Sequence, residues 1–169
     1  NEVLADGTAN AFGSRNTVSG DSSSAFGRSN TVEGGTSTAF GYSNEVAGDQ
    51  SAAFGQGNSA SGNGAVAFGR GNAATFTSST AVGNGNEAAG SSSSAFGVSN
   101  VAAGLMGNAF GFQNAASGDY SNAFGRLNEA SGASAAAFGY TNTASGTNSI
   151  AFGIGNVAGG AYSSALGHE

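Results

Sequence analysis

The chain has 169 residues, of which 31 are Gly and none is Pro, Cys or Trp, and its formal net charge is −6 at pH 7 with only 8% charged residues. Four Arg and no Lys exclude the basic footprint that nucleic acid requires, and the lack of Cys excludes a disulfide framework and thiolate chemistry. No apolar run is long enough to cross a membrane as a helix.

Residues 1–8 read as one coil with a single extra residue, placed ahead of a strict repeat. From Phe12, steps of fourteen land on Phe26, Phe40, Phe54, Phe68, Val82, Phe96, Phe110, Phe124, Phe138, Phe152 and Leu166, without an insertion or deletion. Ala precedes and Gly follows this position every time, from Ala11 and Gly13 to Ala165 and Gly167. Four residues after it stands an Asn, from Asn16 to Asn156; two residues on comes Val or Ala, and two further comes Gly, except at Phe76. A Gly/Ser-rich tract without order would suit a disordered linker, but such a tract has no reason to keep an apolar residue between Ala and Gly in phase twelve times, ten of them as Ala-Phe-Gly.

A short fixed period belongs to a solenoid whose coils contact their neighbours. Recurrent Gly and the absence of a 3.6-residue apolar stripe exclude helix. The alternation around Ala-Phe and around the Val/Ala position predicts two short strands per coil, each about four or five residues long. The whole chain, residues 1–169, is therefore expected to be a single all-β repeat domain of about twelve coils, a rod roughly 50 Å long at about 4.8 Å per coil. Gly13 and Asn16 are expected to bracket one corner and Gly20 to open the other, because left-handed backbone is cheapest for Gly and then Asn. The stacked Asn either form a hydrogen-bonded ladder or tolerate the turn conformation, or do both.

Strand alternation points Ala and its Phe neighbour in opposite directions. With Ala11 and Val18 lining a thin lumen, the Phe column becomes an exposed apolar stripe that other copies of the chain would cover. The alternative places Phe in the lumen and Ala at the subunit contact.

Catalytic, cofactor and metal sites are not expected. The one His, His168, reads as a solvated terminal residue beside ordinary Ser. Asp21, Asp49 and Asp119 share a turn position in coils that are not adjacent, and the nine-residue calcium-binding repeat is absent. No column carries regular Thr, which argues against an ice-binding face.

The breaks in the pattern are the candidate functional positions. Phe76 replaces a corner Gly and is expected to change the turn or send its ring outward. Two residues after the apolar position stand Val98, Phe112, Arg126, Tyr140 and Ile154, where earlier coils carry Ser14, Arg28, Gln56 and Asn84. Leu105, Met106, Tyr120 and Tyr162 add bulk at the opposite corner. Such a ridge faces either solvent, where it suits an extended protein partner, or a neighbouring copy.

The unit A-F-G-x-x-N-x-A-x-G-x-x-S, as in Ala95 to Gly104 and Ala137 to Gly146, resembles the head repeat of trimeric autotransporter adhesins, the YadA-like head, over residues 9–169. The resemblance implies a left-handed parallel β-roll and a homotrimer. It further implies display on a stalk from the outer membrane of a Gram-negative bacterium and binding to a host surface or extracellular-matrix protein. Family repeats often carry Ile, Val or Leu where this chain mostly has Phe, which implies repacking around a bulkier group. The chain reads as an excised piece of a longer surface protein, with any membrane attachment through a C-terminal anchor outside it. Two functions stay open: an adhesin head, or a structural spacer whose partner domain does the binding.

Overall fold

The computed structural model describes residues 1–5 and 7–168, and among them every regular element is a strand. Packing divides the chain into two compact units, residues 1–85 and 86–169, each built by the same rule. A five-residue strand such as Ser24–Arg28 is followed, across one corner, by a two-residue strand such as Thr31–Val32. The long strand pairs in parallel with the long strand one coil on, placing Ala25 beside Ala39, Phe26 beside Phe40 and Gly27 beside Gly41. Short strands pair likewise, Thr31 with Glu45 and Val32 with Val46. The second unit repeats this register, with Phe110 beside Phe124 and Ala116 beside Ala130. The fold is an all-β parallel solenoid of about twelve coils, fourteen residues to the turn.

At the N-terminus Val3 pairs with Val18, a step of fifteen, so the first coil carries the one extra residue that its sequence shows. The second strand of each coil is shorter than the four or five residues expected. The amides of Ser19 and Gly20 share the Val32 carbonyl at 2.9 and 3.3 Å, and the chain turns away at that forked bond.

The interior is thin. Ala25, Ala39 and Ala67 on the long strands, and Val18, Val32, Val46 and Ala60 on the short ones, are fully buried. At about 0.8 kcal/mol per buried methyl-sized group, such a lumen supplies only a few kcal/mol per coil. Cohesion must come largely from hydrogen bonds between coils.

The corners differ from expectation in an instructive way. Asn16 and its equivalents do not have positive φ; the residue before each of them does, as in Arg15 (φ 59°), Ser29 (φ 57°) and Ser43 (φ 53°). At the other corner the left-handed residue is not Gly20 but Ser22, Thr36, Gln50 and their equivalents. Among the described residues seventeen non-Gly residues adopt positive φ, each at a cost of about 1–2 kcal/mol. They persist because the same peptides are held between coils: Ser29 and Ser43 donate to the carbonyls of Ser14 and Arg28 at 2.9 and 3.0 Å, and Thr36 donates to Asp21 at 2.8 Å. A Ser29→Gly variant, relieved of that strain, is expected to gain about 0.5–1 kcal/mol in urea denaturation, the larger freedom of its unfolded chain included; a loss of stability would mean that the Ser29 side chain holds the corner.

Candidate functional site

Each Asn occupies the inside of its corner. The Asn44 amide group donates to Asn30 Oδ1 at 3.1 Å, to the Phe40 carbonyl at 3.1 Å and to the Gly55 carbonyl at 2.9 Å. Its own Oδ1 accepts from the backbone N–H and the Nδ2 of Asn58, both at 3.0 Å. The first unit continues this ladder through Asn72, and the second runs from Asn86 through Asn100, Asn114 and Asn128 to Asn156. Of the two roles expected for these residues, the ladder is the one seen. It clamps both strands of a coil and the next coil at one point, and thereby fixes the outward face of the long strand.

A second ladder was not expected from the sequence, although its Ser recurs at one position of the unit. Ser23 and Ser37 donate their hydroxyls to the carbonyls of Gly34 and Gly48 in the next coil, at 2.7 and 2.8 Å. Each hydroxyl also accepts a backbone N–H, from Ser37 and Ser51 at 2.9 and 3.0 Å. In the second unit Gly107 and Ala135 interrupt this column, and the buried hydroxyls of Ser121 and Ser149 have no partner. The turn carboxylates act similarly: Asp49 accepts from the amide of Gly35 at 2.8 Å and Asp119 from that of Leu105 at 3.0 Å.

With the strand so held, Ala faces the lumen and Phe faces outward. Phe12 is 57% exposed, and Phe40, Phe68 and Phe152 are also more than half exposed. Neighbouring rings follow the sheet repeat: Phe96, Phe110 and Phe124 are spaced 4.8 Å apart with ring planes within 5°. In the first unit the spacing runs from 5.1 Å at Phe12–Phe26 to 6.5 Å at Phe40–Phe54. Strand spacing of about 4.8 Å dictates this stacking, and each pair adds about 0.5–1.5 kcal/mol. Val82 takes the ring's place in the last coil of the first unit, six residues after Phe76.

The same outward face carries the second candidate column. Val98, Phe112, Tyr140 and Ile154 are each about 40% exposed. Arg126 stands between two of them, its guanidinium carbon 5.5 Å from the Phe112 ring centre and 5.5 Å from that of Tyr140. Arg28 repeats the arrangement over Tyr42 at 6.0 Å. Nothing in the alternating pattern signals these stacks; only the neighbour fourteen residues away does.

The turn at Phe76 is the ordinary one: Ser78 has φ 57° where Ser22 and Ser92 have 56°, and Ser79 donates its hydroxyl to the Phe76 carbonyl at 2.7 Å as Ser163 does to that of Gly160 at 2.6 Å. Of the two outcomes expected, Phe76 takes the outward ring. Its ring is 54% exposed. Met106, Tyr120 and Tyr162 occupy left-handed corner positions, on the opposite edge from Arg126.

The chain matches the family model described as the YadA head domain repeat over residues 11–30, 33–58, 60–86, 130–156 and 144–169, more than half its length. No curated protein matches it at a comparable level.

Proposed function

The chain belongs to the YadA head domain family, and from that premise we propose that it is the head region of a trimeric autotransporter adhesin that attaches a bacterium to host cells or extracellular matrix. The family supports reading it as a domain of an adhesin-type, surface-exposed fibre. In this reading three parallel copies associate through the Phe column, and the fibre is held to the outer membrane by a part of the protein beyond these residues.

The observation that carries the reading is the apolar face of the long strands in each unit. Phe12, Phe40 and Phe68 in the first unit and Phe152 in the second are more than half exposed, and the stacked rings of Phe96, Phe110 and Phe124 are partly exposed; together such rings form a stripe larger than an isolated soluble chain normally presents. Burial against identical stripes is the simplest cover, and three copies would also give weak contacts with a host surface the avidity they need.

Light scattering coupled to size exclusion is expected to return three times the 16.1 kDa chain mass. A stable monomer would overturn the Phe-lined association. Beads coated with the domain, applied to epithelial cell layers and immobilised matrix proteins, then test attachment. Phe112→Ala, Tyr140→Ala and Ile154→Ala variants that stay trimeric but no longer attach would place the adhesive surface on that column. The second reading, a spacer that raises a binding domain elsewhere in the fibre, draws on the evenness of the coils and on the absence of any cavity among the described residues. It predicts that the wild-type beads do not attach.

A further inference from the structure

A parallel trimer built on the Phe column gives each long strand two different surroundings. The strands of every copy run around the trimer axis in the same sense, so the C-terminal end of one copy's strands meets the N-terminal end of the next copy's. Such a cyclic contact joins two different patches of the chain. Each end is therefore a surface of its own, and the two have to suit one another.

In the first unit both ends are mainly polar. Ser14, Arg28, Gln56 and Arg70 end their long strands, and Ser22, Thr36, Gln50 and Gly64 hold the corners that lead into such strands. Tyr42 and Phe76 are exceptions, and each has a polar residue, Thr36 or Asn84, at the other end of its strand. In the second unit both ends turn apolar, and in the same two coils. Leu105 and Met106 lead into Asn108–Phe112, and Tyr120 leads into Asn122–Arg126, which Leu127 follows. Leu105, Met106, Phe112, Tyr120 and Leu127 are all exposed within their own chain, and so is Arg126. Val98, Tyr140 and Ile154 continue the C-terminal side into neighbouring coils. The bulk of Met106 and Tyr120 is not what shapes their own corners, because Ser takes the same left-handed position at Ser92 and Ser134.

Building on the proposed trimer, we propose that Leu105, Met106 and Tyr120 of one copy pack against Phe112, Arg126 and Leu127 of the next. The side chains are chemically matched. The Met106 sulfur gains from the edge of an aromatic ring, here that of Phe112. The Arg126 guanidinium, whose carbon already lies 5.5 Å from the ring centres of Phe112 and Tyr140, gains from the added ring of Tyr120. Together the two edges flank the Phe column of the second unit and keep water from it, as the rim of an interface does for its centre. Apolar surface that a lone soluble chain would leave open at both edges is thereby covered. Phe112→Ala is then expected to weaken the trimer before it affects attachment.

Because the chain has no Cys, single cysteines report which edges meet. Q113C chains and M106C chains, refolded together and treated with a short bis-maleimide, are expected to give cross-linked pairs of unlike chains. Each variant alone is expected to give none, since like edges do not meet in a cyclic trimer. M106S/Y120S installs the residue that Ser92 and Ser134 carry at this corner, which keeps the corner intact. Its concentration for half-dissociation, measured by light scattering on dilution, is expected to rise at least about tenfold. V101S removes an exposed apolar residue from a short strand, where Ser59 stands in an earlier coil, and is expected to leave association unchanged. Undiminished association of M106S/Y120S, an equal loss in V101S, or equal cross-linking of like edges would overturn the edge contact while leaving the Phe-lined trimer standing. A wild-type chain that is monomeric would remove the trimer itself and this contact with it.

Discussion

Replacing Gly27 with Ala is expected to remove more than about 4 kcal/mol of stability and to prevent the coils on either side from stacking. Gly27 has φ +114°, a region that L side chains rarely enter. A Cβ added there would stand 2.1 Å from the carbonyl oxygen of Gly41 and 3.0 Å from its carbon. Neither strand can move aside, because Gly27 is paired with Gly13 below and Gly41 above. Gly57 supplies the control: its φ is +63° but nothing lies within 4 Å of an added Cβ. Gly57→Ala should therefore cost only the conformational penalty of a left-handed L residue, about 1–2 kcal/mol. Urea denaturation followed by circular dichroism separates the two, and equal losses would mean that close stacking of coils is not what requires Gly27.

The second large effect is expected at Asn44, which is buried. In Asn44→Ala the carbonyls of Phe40 and Gly55 lose a donor, and the Asn58 N–H and Nδ2 lose an acceptor. Unsatisfied buried groups cost about 1–3 kcal/mol each, so a total of about 3 kcal/mol or more is expected. Asn44→Asp is isosteric and should be worse at neutral pH. An ionised carboxylate only accepts hydrogen bonds, yet it would face Asn30 Oδ1 and the two carbonyls. Burial and those oxygens raise its folded pKa above the unfolded value of about 3.9. The variant is then least impaired below that value, and its deficit against wild type grows as pH rises through the folded pKa. The difference in unfolding midpoint between Asn44→Asp and wild type, taken at pH 4 and pH 7, checks the sign. A deficit independent of pH would mean that the substituted side chain has turned out of the ladder.

Much of the fold was legible because its rules are local and repeated. The fourteen-residue step alone specifies stacked coils, and the Ala-Phe alternation sends neighbouring side chains to opposite faces of a strand. The family could be read from the same residues, since its motif is the set of positions where one coil meets the next. The corners were less legible. Gly13 and Gly27 have positive φ as expected, but Gly20 and Gly34 do not: Gly34 is required because a Cβ there would stand 2.0 Å from the Gly48 carbonyl oxygen. The left-handed residues are instead Ser, Thr, Gln and even Leu127 and Tyr120, which no single-residue preference would select. Hydrogen bonds between coils override propensity at those corners.

The sequence by itself therefore determined the period, the parallel pairing and the opposite facing of Ala and Phe, since each follows from a spacing that one coil carries in full, but it left open which of the two lines the lumen; the structure puts Ala there and Phe outside. Tertiary structure decided which residue takes the strain at each corner, that Asn clamps three segments at once, that Ser23 and Ser37 form a second ladder, and that Arg126 lies between Phe112 and Tyr140. Those outcomes depend on partners one coil away. A partner fourteen residues distant in the chain but one strand spacing away in space becomes a neighbour only once the coils have stacked.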